Sequence, residues 1–340
     1  MRTTKVAVNG FGRIGRAFFK LALTKPELEI VAINDLGDLE NLAYLLKYDS
    51  VYGRYDKEVK AEGGELIVAG KKYKFIQEKD ATKLPWKELE VDIVVESTGV
   101  FESFEKAKVH IQAGAKKVVL TAPAKDDDEE GCKTVLMGMN DKELEDCALS
   151  SNGSCTTNSV TALMQILVDK LGVKKAFLNT IHGYTATQAL IDGPTKGHDY
   201  RRGRAAAVNI TPSTTGAAKT VGKVVPEIKG KFDGMAMRVP VPTGSISAIT
   251  FLSERPTTAE EINKILRDAE IEGKYEGLFK TTTEQLVSTD IVGESVTAVI
   301  DLSLTKVVDG DLCAVYSWYD NEFGYTNTLV MHVLKMAKTI

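Results

Sequence analysis

The chain has 340 residues, enough for two domains and for a core that needs no covalent staples. Charged residues make up 26% and hydrophobic residues 43%, and the formal net charge of −4 leaves no global basic field to attract nucleic acid. Four scattered cysteines (Cys132, Cys147, Cys155 and Cys313) lack metal-ligand spacing, and no apolar run approaches the ~18 residues of a bilayer span, so a reducing, cytoplasmic setting is expected. The opening MRTTKVAVNG has no apolar signal-peptide core.

In chain order, KVAVN at 5–9 predicts a short apolar strand. It runs into Gly10-Phe11-Gly12-Arg13-Ile14-Gly15. RAFFKLALTK then predicts a helix with Ile14, Phe18 and Leu21 on one face, Ala17 beside them, and Pro26 as its stop. IVAIND at 30–35 predicts a second buried strand. After a mixed stretch, LIVAG at 66–70 and KYKFIQ at 72–77 predict a hairpin joined at Gly70. DIVVESTG at 92–99 predicts a strand, 103–113 a helix, and KKVVLTAP at 116–123 a further strand. Such alternation argues for a parallel sheet covered on both faces. The acidic run KDDDEEG at 125–131 reads as a solvated loop.

Past Cys155 the texture changes. SVTALMQILVDKLG predicts a helix. AFLNTIHGYT, AMRVPVPTGSISAITFLS, TAVIDLSLTKVV and LCAVYSWYD predict antiparallel strands, and a last helix begins near residue 325. The expected class is α/β: an N-terminal Rossmann-type parallel-sheet domain, then an α+β domain with a mixed, largely antiparallel sheet.

GxGxxG alone is a weak signal. Here it follows a strand, opens a helix, and has Asp35 twenty residues beyond Gly15 at a strand end, which is the context of a dinucleotide-binding fingerprint. Gly10 permits the tight turn, Gly12 lets the backbone approach a pyrophosphate, and Gly15 lets helix and strand pack closely. The helix N-terminus then offers N–H groups and partial positive charge to the phosphates. Asp35 would accept from a ribose diol and repel a 2'-phosphate, which favours NAD over NADP.

SNGSCTTN at 151–158 sets Cys155 among small hydroxyl and amide residues, unlike the apolar setting of a structural thiol. Val160, Leu163, Met164, Leu167 and Leu171 recur at helical spacing, and Thr156, Thr157 and Asn158 are capping types. Cys155 therefore lies at or just before a helix N-terminus, where dipole and N–H groups stabilise a thiolate and can hold an oxyanion. The other three cysteines read as packed thiols. Among four histidines, His110 and His332 lie in helices, structural or solvent-facing, and His198 lies in a charged loop. His182, at a strand end beside Gly183, is the best base for Cys155. Arg201, Arg202 and Arg204 form a local basic cluster, but it has no aromatic platform beyond Tyr200, so nucleic-acid binding is not expected.

Taken together, GFGRIGR, NDL, LLKYDSVYGR, VVESTG, GAKKVVLTAPAK, SCTTN, TPSTTGAAK, MRVPVP and WYDNEFGY, in order over nearly the whole chain, resemble phosphorylating glyceraldehyde-3-phosphate dehydrogenase. The resemblance implies NAD as cofactor, glyceraldehyde 3-phosphate and inorganic phosphate as substrates, a homotetramer without membrane attachment, and a place in glycolysis or gluconeogenesis. It implies a Rossmann domain over 1–154, a catalytic domain over 155–320, and a C-terminal helix at about 321–340 that packs back onto the first. By likeness, Cys155 attacks the aldehyde to give a thiohemiacetal, His182 takes the proton, and phosphate attacks the resulting thioester. Gly10, Gly12, Arg13, Ile14 and Gly15 would form the pyrophosphate turn, with Asp35, Leu36, Lys79, Thr98, Thr121, Pro194, Asn321 and Tyr325 completing the cofactor set. Asn321 would hold the nicotinamide carboxamide. Thr185 and Arg238 match a substrate-phosphate site. Ser154, Thr215, Gly216 and Arg202 match a site for the attacking phosphate, with Thr156 in the same substrate set. Residues 184–208 correspond to a loop that packs on a neighbouring subunit and its cofactor.

The chain departs from the family pattern at Gly153, Ser159, Thr243-Gly244 and the longer 125–131 loop, none of which removes a chemical group. Gly153 and Thr243-Gly244 bear on substrate preference. Two alternatives stand beside the main reading. One is an erythrose-4-phosphate dehydrogenase that hydrolyses its thioester; the other is a non-catalytic NAD-binding redox sensor built on Cys155.

Overall fold

The structure, a computed structural model, describes residues 3–195 and 197–340. It divides into two units, Met1–Gly153 with Thr326–Ile340, and Ser154–Tyr325. In the first unit the strands are β1 (Thr4–Asn9), β2 (Leu28–Asn34), the short pair β3 (Tyr48–Asp49) and β4 (Gly53–Arg54), β5 (Val59–Glu62), β6 (Glu65–Val68), β7 (Lys71–Ile76), β8 (Ile93–Glu96), β9 (Lys117–Leu120), β10 (Cys132–Thr134) and β11 (Leu149–Ser151). Its helices are α1 (Arg13–Ala22), α2 (Leu39–Lys47) and α3 (Phe104–Gln112).

A nine-stranded sheet runs β10-β11-β9-β8-β1-β2-β7-β6-β5. It is parallel from β10 to β7, and β6 and β5 close one edge antiparallel. Strand side chains alternate in direction, so neighbouring residues serve opposite layers. Val6, Val8, Ile33 and Val95 join Phe18, Phe19 and Leu46 in one apolar cluster; Ala7, Ala32, Val94 and Val118 join Trp86 and Phe104 in the other. Leu329, Val330, Val333 and Met336 from the C-terminal helix complete the first cluster. The α1 helix starts earlier than its sequence pattern predicts and buries Phe19 as well as Phe18, while Ile14 and Leu21 pack at the cluster's edge.

The run at 125–131 is more than a solvated loop. Asp126 accepts from the backbone N–H groups of Phe104 and Glu105 at the start of α3, and Asp128 accepts from the Thr134 N–H and hydroxyl in β10. Two of its acids thus answer orphan donors at a helix end and a strand edge.

The second unit holds α4 (Cys155–Leu171), β12 (Val173–Gly183), β13 (Thr211–Thr214), α5 (Ala217–Val224), β14 (Phe232–Val239), β15 (Ser245–Ser253), α6 (Ala259–Ile271), β16 (Phe279–Thr282), β17 (Ala298–Asp301), β18 (Lys306–Val308) and β19 (Leu312–Tyr319). A last helix, α7 (Phe323–Ala337), starts in it. The eight-stranded sheet runs β13-β14-β12-β15-β19-β17-β16, with β18 on β19. It is mixed: β12 pairs antiparallel with β15 but parallel with β14, and β16 pairs parallel with β17. The two strands of the stretch 236–253 do not pair with each other. They flank β12 on either side, and that places His182 in register with Arg238.

Candidate functional site

In the first unit, chain order reverses direction across the sheet between β1 and β8, and the carboxyl ends there form the switch-point crevice of a doubly wound fold. Gly10 (φ +95°) turns tightly against β8: a Cβ on it would lie 2.6 Å from the Ser97 carbonyl carbon and the Thr98 nitrogen. A Cβ on Gly15 would lie 2.1 Å from the Gly10 carbonyl oxygen, so this glycine is a packing requirement. At Gly12 a Cβ would meet nothing within 4 Å. That open cradle at the N-cap of α1, which has no side-chain cap, is where an outside group can approach the backbone.

Asp35 accepts from the Phe11 N–H at 2.6 Å and the Gly37 N–H at 2.8 Å, one on each carboxylate oxygen. Each oxygen keeps a second lone pair, enough for a diol. Arg13 forms an ion pair with Asp49 at 3.2 Å. Ile14 is half-buried, while Leu36, Lys79 and Thr98 are exposed. Lys79 follows β7, and Thr121, half-buried, follows β9 at the same end of the sheet. Behind this edge lies a buried network not apparent in the sequence. Glu96 accepts from Asn9 Nδ2 at 2.5 Å and from the Thr98 N–H at 2.8 Å, and it lies 3.0 Å from His110 Nε2. Trp86 Nε1 donates to His110 Nδ1 at 3.1 Å. His110 is thus structural and buried, as is His332, which contacts Ser150 and Asn152.

In the second unit, Ser154 is the N-cap of α4, accepting from the Thr157 N–H at 3.1 Å, and Cys155 occupies the first helical position. The cap is Ser154 rather than the threonines after the cysteine, because its extended backbone (φ −111°, ψ 168°) aims the hydroxyl back into the first turn. Cys155 is half-buried, with Sγ 3.4 Å from His182 Nε2. The other three cysteines are buried. Burial pushes the Cys155 thiol above its ordinary range, against the pull of Arg238, the Thr156 hydroxyl and first-turn N–H groups. Desolvation therefore outweighs the expected thiolate stabilisation. His182 is lowered to about 3, first by burial and then by Arg238.

His182 Nδ1 lies 2.6 Å from the Gly183 carbonyl oxygen and 2.5 Å from Arg238 Nη1. Tyr319 stands edge-on to the imidazole at 5.9 Å, its hydroxyl bridging Thr156 (3.0 Å) and Thr180 (2.6 Å). Tyr319 is not among the site residues expected from the sequence. Its strand, LCAVYSWY, carries apolar residues on both faces, so the sequence does not single out Tyr319, and the fold buries it beside Cys313, Val315 and Ser317.

Of the anion-site candidates, Thr185 and Arg202 meet at one hydroxyl. Thr185 Oγ1 contacts Thr187 Oγ1 at 2.9 Å, and Arg202 Nη1 reaches that same Thr187 hydroxyl at 3.5 Å. Arg202 also donates to Ser213 Oγ at 2.8 Å and lies 3.4 Å from Asp199. Thr215 accepts from the Ala217 N–H at 3.2 Å, and Gly216, exposed and with open space at its Cβ position, is the N-cap of α5. Among the described residues, five buried side-chain polar atoms have no hydrogen-bond partner, and two of them, the Gln188 side-chain nitrogen and the Thr211 hydroxyl, are donors close to these candidates. The Gln188 amide oxygen accepts from the Thr185 N–H at 3.3 Å, and Thr211 is in register with Arg238. Orphaned donors at such positions call for an acceptor. Arg201 and Arg204 are exposed and paired with Asp199 and Asp192. Asn321, buried at the start of the α7 turn, accepts on Oδ1 from the Gly244 N–H and the Ser245 hydroxyl, which orients its amide nitrogen as a donor. Tyr325 is buried, and Pro194 is exposed.

Comparison with known proteins adds identity to this geometry. The family model described as glyceraldehyde 3-phosphate dehydrogenase, NAD binding domain, matches residues 4–104, and that described as its C-terminal domain matches 154–321. The chain is 47% identical to a glyceraldehyde-3-phosphate dehydrogenase of Clostridium pasteurianum over 98% of this chain and 99% of that one. It is 45% identical to glyceraldehyde-3-phosphate dehydrogenase 1 of Streptomyces avermitilis over 99% and 100%. To the Geobacillus stearothermophilus glyceraldehyde-3-phosphate dehydrogenase it is 47% identical over 96% of each chain.

Proposed function

This chain belongs to the glyceraldehyde-3-phosphate dehydrogenase family of NAD-dependent oxidoreductases, and from that premise we propose that it oxidises and phosphorylates D-glyceraldehyde 3-phosphate to 1,3-bisphosphoglycerate through a Cys155 thioester. The observation that carries the reading is the 3.4 Å approach of His182 Nε2 to Cys155 Sγ at the first position of α4.

His182 removes the thiol proton as Sγ attacks the aldehyde carbon, giving a thiohemiacetal. The N–H groups of the first turn of α4 receive the oxyanion. NAD, held by the cofactor set named below, would supply the hydride acceptor for the oxidation. Cys155 then holds a thioester, and inorganic phosphate displaces the thiolate, which conserves in the acyl phosphate the free energy that hydrolysis would lose. Splitting the reaction at a covalent intermediate replaces one difficult step by two easier ones. Arg238 and Thr185 hold the phosphate of the substrate, supported by the orphaned donors beside them. Arg202, Ser154, Thr215 and Gly216 hold the attacking phosphate, and Thr156 lines the same substrate site. Gly10, Gly12, Arg13, Ile14 and Gly15 receive the pyrophosphate and Asp35 the ribose, with Leu36, Lys79, Thr98, Thr121 and Pro194 in the cofactor set. Asn321 holds the carboxamide, with Tyr325 packed nearby. A homotetramer fits the exposed apolar side chains Leu190, Ile191, Val208 and Ile210, and Phe177 and Leu312 on the sheet.

The test is NADH formation from glyceraldehyde 3-phosphate and NAD, with and without phosphate or arsenate. Turnover that requires either anion supports the proposal. Turnover without them, or faster turnover on erythrose 4-phosphate, assigns the chain to the hydrolysing alternative.

A further inference from the structure

Ser245 opens β15 where three elements of the second unit converge, and its side chain is buried. Its hydroxyl makes two hydrogen bonds whose directions are fixed by their partners. The Gly183 N–H, at the end of β12, can only donate, and it reaches Ser245 Oγ at 3.2 Å. The single hydroxyl proton goes to Asn321 Oδ1, 3.0 Å away at the start of the α7 turn. The Gly244 N–H donates to the same Oδ1 at 3.2 Å. Both lone pairs of that oxygen are then used, which leaves the Asn321 amide nitrogen as an outward donor.

The backbone allows this hydroxyl little freedom. Gly244 has φ +91°, and a Cβ on it would run into the Ser288 carbonyl oxygen, so the turn before Ser245 is held against a neighbouring segment. On the other side Ser245 is in register with Tyr319 across β15 and β19. Gly183, which donates to Ser245, also places its carbonyl oxygen 2.6 Å from His182 Nδ1. One oxygen atom therefore stands between Asn321 and the strand end that carries His182.

We propose that Ser245 is a positioning residue: its hydroxyl ties the amide that anchors the nicotinamide carboxamide to the strand end that carries the base, so that cofactor and imidazole are held in one frame. The inference rests on the assignment of Asn321 to the carboxamide. Without the hydroxyl, Asn321 Oδ1 keeps one fixed donor and the amide plane can turn about it. The Gly183 N–H also loses its acceptor inside the protein. Hydride transfer is steep in distance and angle, so a small turn of the anchor costs rate even where the cofactor still binds.

The experiment compares NAD with ADP-ribose, which lacks only the nicotinamide, by calorimetry on the full-length protein. Ser245→Ala should weaken NAD about fivefold and leave ADP-ribose within about twofold, the scale of one neutral hydrogen bond. Ser247→Ala is the control. It deletes a second buried hydroxyl on the same face of β15, one that contacts Ser159 instead, and it should move neither affinity. Asn321→Ala should weaken NAD at least as much as Ser245→Ala does, and adding Ser245→Ala to it should change NAD affinity by less than about twofold, because the serine acts through the asparagine. At saturating NAD, the NADH burst without phosphate should slow at least about tenfold in Ser245→Ala. Its isotope effect with substrate deuterated at the aldehyde carbon should rise. Equal losses for NAD and ADP-ribose, full additivity with Asn321→Ala, or an unchanged burst overturns the inference. If Ser245→Ala does not fold, Ser245→Cys, whose thiol is a weak donor, should show the same selective loss of NAD. An Asn321→Ala variant that binds NAD as the wild type does removes the carboxamide assignment itself. A selective loss in Asn321→Ala with none in either Ser245 variant removes only the role of Ser245.

Discussion

Cys155 owes its setting to backbone as much as to neighbours. Ser154 caps the helix, Cys155 takes the first turn, and the imidazole arrives from the end of β12. His182→Asn should lower kcat by about 10²–10⁴, the usual scale of a lost general base, while NAD affinity measured by calorimetry stays within about twofold. An unchanged kcat would remove His182 from the mechanism. His332 supports a stability prediction. It is buried and neutral, lowered to about 3 from the usual 6.5. Below pH 6.5 the unfolded chain binds a proton that the folded chain refuses, so this contribution to stability is lost as the pH falls toward 3. At pH 5 the loss relative to pH 7 is about 2 kcal/mol for this one group. Urea unfolding at both pH values should show it in wild type and not in His332→Gln; equal losses would contradict it. At this scale Cys155 stood out by its unusual neighbours in sequence, whereas His182 was singled out by comparison with the other three histidines and by the family likeness. Tyr319, Glu96 and Asp126 did not stand out, because their partners come from register and from distant strands. The Ser150–His332–Asn152 array looks like a catalytic triad by distance alone, but all three residues are buried beyond reach of a substrate.

Among elements, the glycine turn separates packing from binding. Gly15→Ala forces a methyl against the Gly10 carbonyl, where the neighbour is backbone and cannot give. It should lower the melting temperature and impair NAD binding together. Gly12→Ala meets nothing within 4 Å in the protein, so it should leave the melting temperature unchanged and weaken NAD binding at least tenfold. Equal affinity in Gly12→Ala would mean that the dinucleotide does not approach there. The first sheet was largely readable because its strand, turn and helix signals alternate locally. The second was less so. Antiparallel strands in a mixed sheet were expected, but not their order: β14 and β15 are split by β12, which hydrophobic patterning does not encode. The helix α4 was recognised, yet it is buried on nearly every side, so its apolar stripe understated its contacts.

For the whole molecule, the two units were expected from length, from the change in texture after Cys155 and from the family likeness, whereas assembly is not written in the pattern of one chain. Sedimentation should show a tetramer, and Leu190→Glu with Ile191→Glu, two exposed apolar positions, should shift it to smaller species. A wild-type monomer would refute the assembly. In the proposed reaction, oxidation and phosphorylation are separate steps joined by an acyl group on Cys155. Mixing enzyme, NAD and glyceraldehyde 3-phosphate without phosphate should give a burst of one NADH per active chain, an acyl adduct located by mass spectrometry on the peptide bearing Cys155, and release of that adduct when phosphate is added. No adduct at Cys155, or sustained NADH formation without phosphate, would contradict it.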